Sequence, residues 1–248
     1  MNTNTTIGSC CLALAGLAVT SSVLAAPTTV AQVGDADSFG NRVVWLGLVA
    51  TGNVHLDSIS CAPDPTNPRG PNDRCVLLTV GGLPTNFSFT DLGHITLPGG
   101  SADTLLCQWT TPNIAYTLAN PTTGNVLARL NAAPTYRIES DVLNDPALVN
   151  PLTGTSFDGY IDIRIGGLST ARTLTPGAQE TERVVSSRDC TGGLISRSLL
   201  MQTYGLSEAL AKKFFKGAIT IRAGVAGSAA WAGGADISFG TRVMGDRN

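Results

Sequence analysis

The sequence predicts a mainly β protein: an antiparallel β-sandwich of jelly-roll or immunoglobulin-like type, with one short α-helix near the C-terminus. Three observations lead there. Short apolar or alternating segments recur along the chain with Gly, Pro, Asn and Asp between them. Only one segment has a helical period with both a start and a stop signal. The chain of 248 residues is 43% apolar and 14% charged, against about 25% charged in an average domain, so it is not a disordered polyelectrolyte. Sixteen Lys plus Arg against eighteen Asp plus Glu leave a net charge of −2, without the basic surplus of a nucleic-acid binder. No heptad, collagen or solenoid period is present.

The first segment reads as an export signal. Residues 7–26 carry no charge, 10–20 are the apolar part, and Val23-Leu24-Ala25 fits a small-x-small cleavage site. The expected division is a signal peptide at 1–25 and a single β-sandwich domain at 26–248. One departure is the lack of Lys or Arg in residues 1–6. The apolar part is short for a membrane span, and no transmembrane segment is expected after signal removal. Ile7-Gly8-Ser9-Cys10 stands before the apolar run instead of after it, so it is not a lipidation box.

Strands follow in order. Residues 42–50 are almost continuously apolar, which predicts a strand covered on both faces with Trp45 in the core. Val54 and Leu56 alternate with His55 and Asp57. Residues 75–80 end at the Gly81-Gly82 turn. Shorter strands are expected at 94–97, 104–109, 114–118, 126–130 and 135–139, with Asn120-Pro121-Thr122-Thr123-Gly124 as a hairpin connection. The cleanest alternation puts Ile161, Ile163 and Ile165 on one face and Tyr160, Asp162 and Arg164 on the other. Further strands are expected at 181–188, 219–225 and 237–243. The loop at 140–158 is long enough to be a binding loop, although a solvated excursion explains it too. The helix spans 207–216: Ser207 caps it, Leu206, Leu210 and Phe214 share a face, and Lys212, Lys213 and Lys216 precede the Gly217 stop. Those three are the only lysines, and their place in the last turn accounts for them as partners of the helix dipole.

Residues 36–43 and 235–243 match as A-D-S-F-G-x-R-V once Ile237 is skipped. The expectation is that the two ends of the mature domain are equivalent strands and neighbours in one sheet, with Phe inward. No catalytic or family motif matches residue by residue. The only resemblance, a general one, is to exported bacterial β-sandwich proteins.

Candidate chemistry is sparse. After signal removal four cysteines remain, and export reads them as two disulfides, Cys61–Cys75 and Cys107–Cys190. The first would close the Pro/Asn/Asp-rich stretch 62–74. Asp35 and Asp37, followed by Gly40, resemble the opening of a calcium loop, but Phe39 replaces the third ligand and Leu46 the bidentate Glu, so an EF-hand is excluded. Zinc has no C-x-x-C and only His55 and His94 to draw on. Those two histidines also bound any triad, and Asp57 is not expected to orient His55. His94 is placed at a loop-to-strand junction. Trp109 and Trp231 sit in polar or small-residue surroundings and are candidates for stacking on a glycan.

The favoured expectation is a secreted, periplasmic or cell-surface domain with a non-catalytic structural or adhesive role that self-associates into oligomers or filaments. Low charge and few Lys or Glu leave strand edges unblocked. Segments 26–34 and 141–154 are candidates for exchange between copies. A carbohydrate-binding module is the first alternative and an extracytoplasmic hydrolase the second. No cofactor beyond calcium is expected.

Overall fold

The computed structural model describes residues 43–63, 65–66, 68–186 and 193–246. The signal segment, Asp35, Asp37, Phe39 and Cys190 lie outside the described residues.

Among the described residues, twelve strands form two sheets. The first contains β1 (Val43–Ala50), β2 (Val54–Asp57), β3 (Arg74–Leu77), β5 (Leu105–Ala119), β9 (Gln179–Val184), β10 (Ile195–Ser196) and β12 (Ala232–Asp246). The second contains β4 (Thr85–Leu97), β6 (Val126–Glu139), β7 (Tyr160–Arg164), β8 (Leu168–Leu174) and β11 (Ile219–Ala230). β1 and β2 lie end to end along β12, β9 and β10 along β5, and β7 and β8 along β6. Each sheet therefore has four main positions: β1/β2–β12–β5–β9/β10 in one, β4–β11–β6–β7/β8 in the other. The chain crosses between sheets six times, from β3 to β4, β4 to β5, β5 to β6, β8 to β9, β10 to β11 and β11 to β12. That order is a jelly roll. β3 adds a parallel strand outside β2.

Several strands are longer than the sequence reading expects. It has two short strands at 104–109 and 114–118, where the structure has β5; Pro112 is tolerated because β9 begins at Ile114 and β10 reaches only Leu106, so no strand needs its missing N–H on that side. Pro134 sits likewise in the gap between the ends of β7 and β8 along β6. The turn-like Asp91-Leu92-Gly93 lies inside β4 at a bulge opposite Gly224, which places His94 within a strand and not at a junction. The expected hairpin at residues 120–124 is a crossing between sheets: β5 and β6 belong to opposite layers. Asn120 holds it, donating through Nδ2 to the carbonyls of Gly124 (2.7 Å) and Leu174 (2.9 Å) and accepting from Thr122. β8, rich in Ser, Thr and Ala, has loop-like composition and was not expected.

Trp45 is not in the core. It is 41% exposed and Leu48 is 57% exposed, because β1 is an edge strand with only its inner face covered. A bulge between Trp45 and Gly47 keeps both side chains outward, while Val49 is buried. The strand that follows the first copy of the motif, β1, pairs antiparallel with β12, which contains the second, from Val43↔Asp246 to Ala50↔Gly240, and Phe239 is buried; residues 36–42 lie outside the described residues.

The core fills the space between the layers. Toward one end, Val54, Leu56, Leu92, Ile114, Leu118, Leu130, Val225 and Ile237 pack together. Toward the other, Leu106, Ile138, Leu143, Ile161, Ile221 and Val243 meet the helices. Two helices are present among the described residues, where the sequence reading has one. The additional one, α1 (Arg197–Gln202), is a short turn capped by Ser196. α2 (Glu208–Lys216) starts at the Ser207 cap and ends at Gly217, and it buries Ala211, Phe214 and Phe215. It lies against a 3-10 turn, Asp141–Asn144, whose Val142 and Leu143 are buried. The long loop is thereby anchored at its start, while Val149 and Leu152 farther along it are exposed.

Candidate functional site

Strand alternation builds a polar groove on the outer face of the first sheet. In β2, Val54 and Leu56 face the core, so His55 and Asp57 face out. In β12, Ala235 and Ile237 face in, so Gly234 and Asp236 face out. In β5, Ile114, Tyr116 and Leu118 face in, so Ala115 and Thr117 face out. Register then sets His55 beside Asp236 and Asp236 beside Ala115. The adjacent row runs Asp57, Gly234, Thr117, Thr181, with the two threonine hydroxyls 3.0 Å apart.

Pro68, Arg69 and Asp73 wall this groove, and a Cys61–Cys75 disulfide closes the segment that carries them. Arg69 donates from Nη1 to the Cys61 carbonyl at 2.7 Å. Asp57 accepts from the backbone N–H groups of Ile59 and Ser60, turning the chain out of β2. Asp73 accepts from the backbone N–H groups of Asn53 and Gly70, each at 2.8 Å. Burial pushes the Asp73 carboxyl upward, but those two N–H donors and the nearby His55 outweigh it and hold its pKa below the ordinary value. His55 thus stands between two carboxylates: Nδ1 is 2.5 Å from Asp236 Oδ1 and Nε2 is 3.8 Å from Asp73 Oδ2. The groove encloses about 490 Å³ and also exposes Asn53, Pro68 and Thr117.

A second cavity, of about 310 Å³, lies at the corner between β11 and β12. Its walls are mostly small, Ala119, Ala229, Ala230, Ala232, Gly81 and Gly82 among them, with Leu78, Pro121 and Trp231 as the larger side chains. Trp231 turns the chain from β11 into β12 at φ 54°, a left-handed conformation costly for a bulky residue. Its indole lies where a Cβ on Gly82 would sit, and Gly82 itself has φ 78°. Only glycine fits that position, and the ring is fixed against the main chain.

The sequence-predicted residues are thus divided. Trp231 lines a cavity, whereas Trp109 is partly buried on β5 opposite Arg242 and lines neither cavity. The two tryptophans lie about 35 Å apart along β12, so they do not share a platform. His94 faces out from the other sheet, 3.4 Å from Asp91. Cys107 is disulfide-bonded and buried, while its expected partner Cys190 lies outside the described residues. Sequence reasoning missed Asp236 and Asp73 as partners of His55. Asp236 is 181 positions away in the chain, and only the pairing of β2 with β12 brings it near. The motif shared by the two chain ends contains Asp236, and that was the one signal available.

As chemistry, His55 with Asp236 makes an oriented imidazole, but among the described residues no hydroxyl or thiol is bonded to it as a nucleophile would be. No cluster of three or more His, Cys, Asp or Glu among the described residues could hold a metal ion. No helix among them is long and apolar enough to cross a membrane. The arrangement is suited to binding.

No family model matches the chain, and no curated protein matches it. Among solved structures, a chain from the crystal structure of the T13 IBDV viral particle is similar at 9% identity with a TM-score of 0.13. The match covers 75% of this chain and 43% of that one, so this chain spans less than half the length of its match. A likeness of that score carries no argument about fold or function.

Proposed function

We propose that this chain is an exported jelly-roll domain with a non-catalytic structural or adhesive role, which associates with further copies of itself through β1. The observation that carries the reading is the character of that strand. Among the described residues β1 pairs only with β12. Its sequence, VVWLGLVA, contains no Lys, Asp, Glu or Pro to blunt an edge. Trp45 and Leu48 stand outward from it, 41% and 57% exposed. The low charge of the chain offers little repulsion between copies. The apolar-core disulfide architecture and the apolar N-terminal segment support an oxidising, extracytoplasmic setting.

The test is light scattering on a sizing column, with negative-stain imaging, across a concentration series of the oxidised protein. The parent is expected to form oligomers or filaments as concentration rises. A Trp45→Lys/Leu48→Lys variant is expected to stay dispersed while melting within about 0.5 kcal/mol of the parent, as surface substitutions usually do. A parent that remains monomeric throughout overturns the self-association reading.

A further inference from the structure

We infer that the polar groove at His55 and the Trp231 cavity form one elongated site for a neutral polysaccharide chain. The two are lined by successive residues of the same three strands. β2 with its exit contributes His55, Asp57 and Ser58; β5 contributes Thr117 and Ala119; the β11–β12 corner and β12 contribute Trp231, Gly233, Gly234 and Asp236. From Trp231 to Asp236 the site extends roughly 17 Å along the strand. Gly233 and Gly234 leave the floor between its ends without side chains.

The two ends differ in chemistry, and one ligand class satisfies both. The Trp231 end offers a fixed aromatic ring among small apolar walls, suited to the C–H face of a pyranose. The His55 end offers carboxylates, an imidazole, a guanidinium, threonine hydroxyls and an asparagine, donors and acceptors suited to several sugar hydroxyls. Asp57, Asp73 and Asp236 outnumber Arg69, so a sulfated or uronic polymer would meet repulsion. A purely apolar ligand would strand the charged groups, and a small ion would leave the tryptophan unused. The left-handed conformation of Trp231 has a rationale here: the strain holds the indole against Gly82 in the wall of the cavity. The disulfide-closed wall holds Arg69 and Asp73 in place before any ligand arrives, which lowers the ordering cost of binding.

The experiment is native affinity electrophoresis of the oxidised protein, whose pI of about 5.6 gives it anodic mobility at alkaline pH. Gels contain soluble β-glucan, mannan, xylan or dextran, with dextran sulfate as the acidic comparison. Retardation is expected in at least one neutral gel, and Trp231→Ala and Asp236→Ala are each expected to weaken it about tenfold or more. Trp231→Phe is expected to keep most of it. Trp45→Lys/Leu48→Lys is expected to leave it unchanged, which separates this site from the β1 edge. The Asp236 side chain is 63% exposed, so its replacement reads binding without unfolding even if Trp231→Ala fails to fold. No retardation in any neutral gel overturns the inference. So does equal retardation of the Asp236→Ala variant, or retardation confined to dextran sulfate.

Discussion

Tyr136 ties the two sheets together through the core. It projects from β6, is 1% exposed, and its hydroxyl lies 3.0 Å from Thr110 Oγ1 on β5 and 2.7 Å from Thr241 Oγ1 on β12. Tyr136→Phe removes no packing volume of consequence but leaves two buried threonine hydroxyls without their partner. The expected loss is about 1–3 kcal/mol in urea denaturation, with an unchanged slope. Thr241→Val, which removes a hydroxyl and keeps the shape, is expected to cost less. At this scale the sequence is least informative. Alternation told which side chains face in, so Leu56 and Ile161 were legible as core, but it could not tell which polar groups meet. The partners Tyr136 and Thr241 are 105 positions apart, and His55 and Asp236 are 181 apart. Trp45 failed for a related reason: a continuous apolar run describes a strand but not whether a second layer covers it.

The elements were legible in proportion to how far local chemistry specifies them. α2 was legible because cap, period, basic last turn and terminal glycine all agree. β7 was legible because its alternation is uninterrupted. β5 and β6 were read as fragments because each contains a proline, and a proline's tolerance depends on which neighbouring strands stop beside it, a fact of topology. The β5–β6 crossing was read as a hairpin because turn residues mark a reversal of direction and not a change of layer. The β2–β3 segment depends least on the core and most on its disulfide. β3 pairs only with β2 among the described residues, and Cys61 and Cys75 are separated by 14 positions. Closing a loop of that size is worth about 3 kcal/mol in the chain-entropy model. In a Cys61→Ser/Cys75→Ser variant, amide exchange in β3 is expected to accelerate by roughly a hundredfold. Exchange in the centre of β12 should stay at the parent's rate. Equal acceleration in both strands would mean that the disulfide stabilises the whole sandwich and not the wall of the groove.

For the molecule as a whole, the jelly roll places ionisable groups so that both pH extremes act against the fold. On the acid side one such group is Asp73, whose pKa in the fold lies below its ordinary 3.8. Its contribution is complete above the ordinary carboxylate range and disappears as pH falls through the depressed folded value. On the alkaline side, Tyr116, Tyr136 and Tyr204 all have pKa values raised above 10.0. Burial is the leading cause for each, with the hydrogen bond to Glu182 adding at Tyr116 and the charge of Asp162 at Tyr204. The unfolded chain ionises these phenols near pH 10 while the folded chain keeps them protonated, so the unfolded state binds fewer protons and stability falls as pH rises. Urea midpoints measured between pH 3 and 11 are therefore expected to form a plateau with a decline at each end. Asp73→Asn is expected to lower the plateau and flatten the acid decline, because the lost charge is the one the Asn53 and Gly70 donors were holding. Tyr136→Phe is expected to flatten the alkaline decline and leave the acid one untouched. A parent alkaline decline that survives Tyr136→Phe in full would assign it to the other two tyrosines. No decline at all above pH 10 would mean that the sandwich admits water to its core without opening.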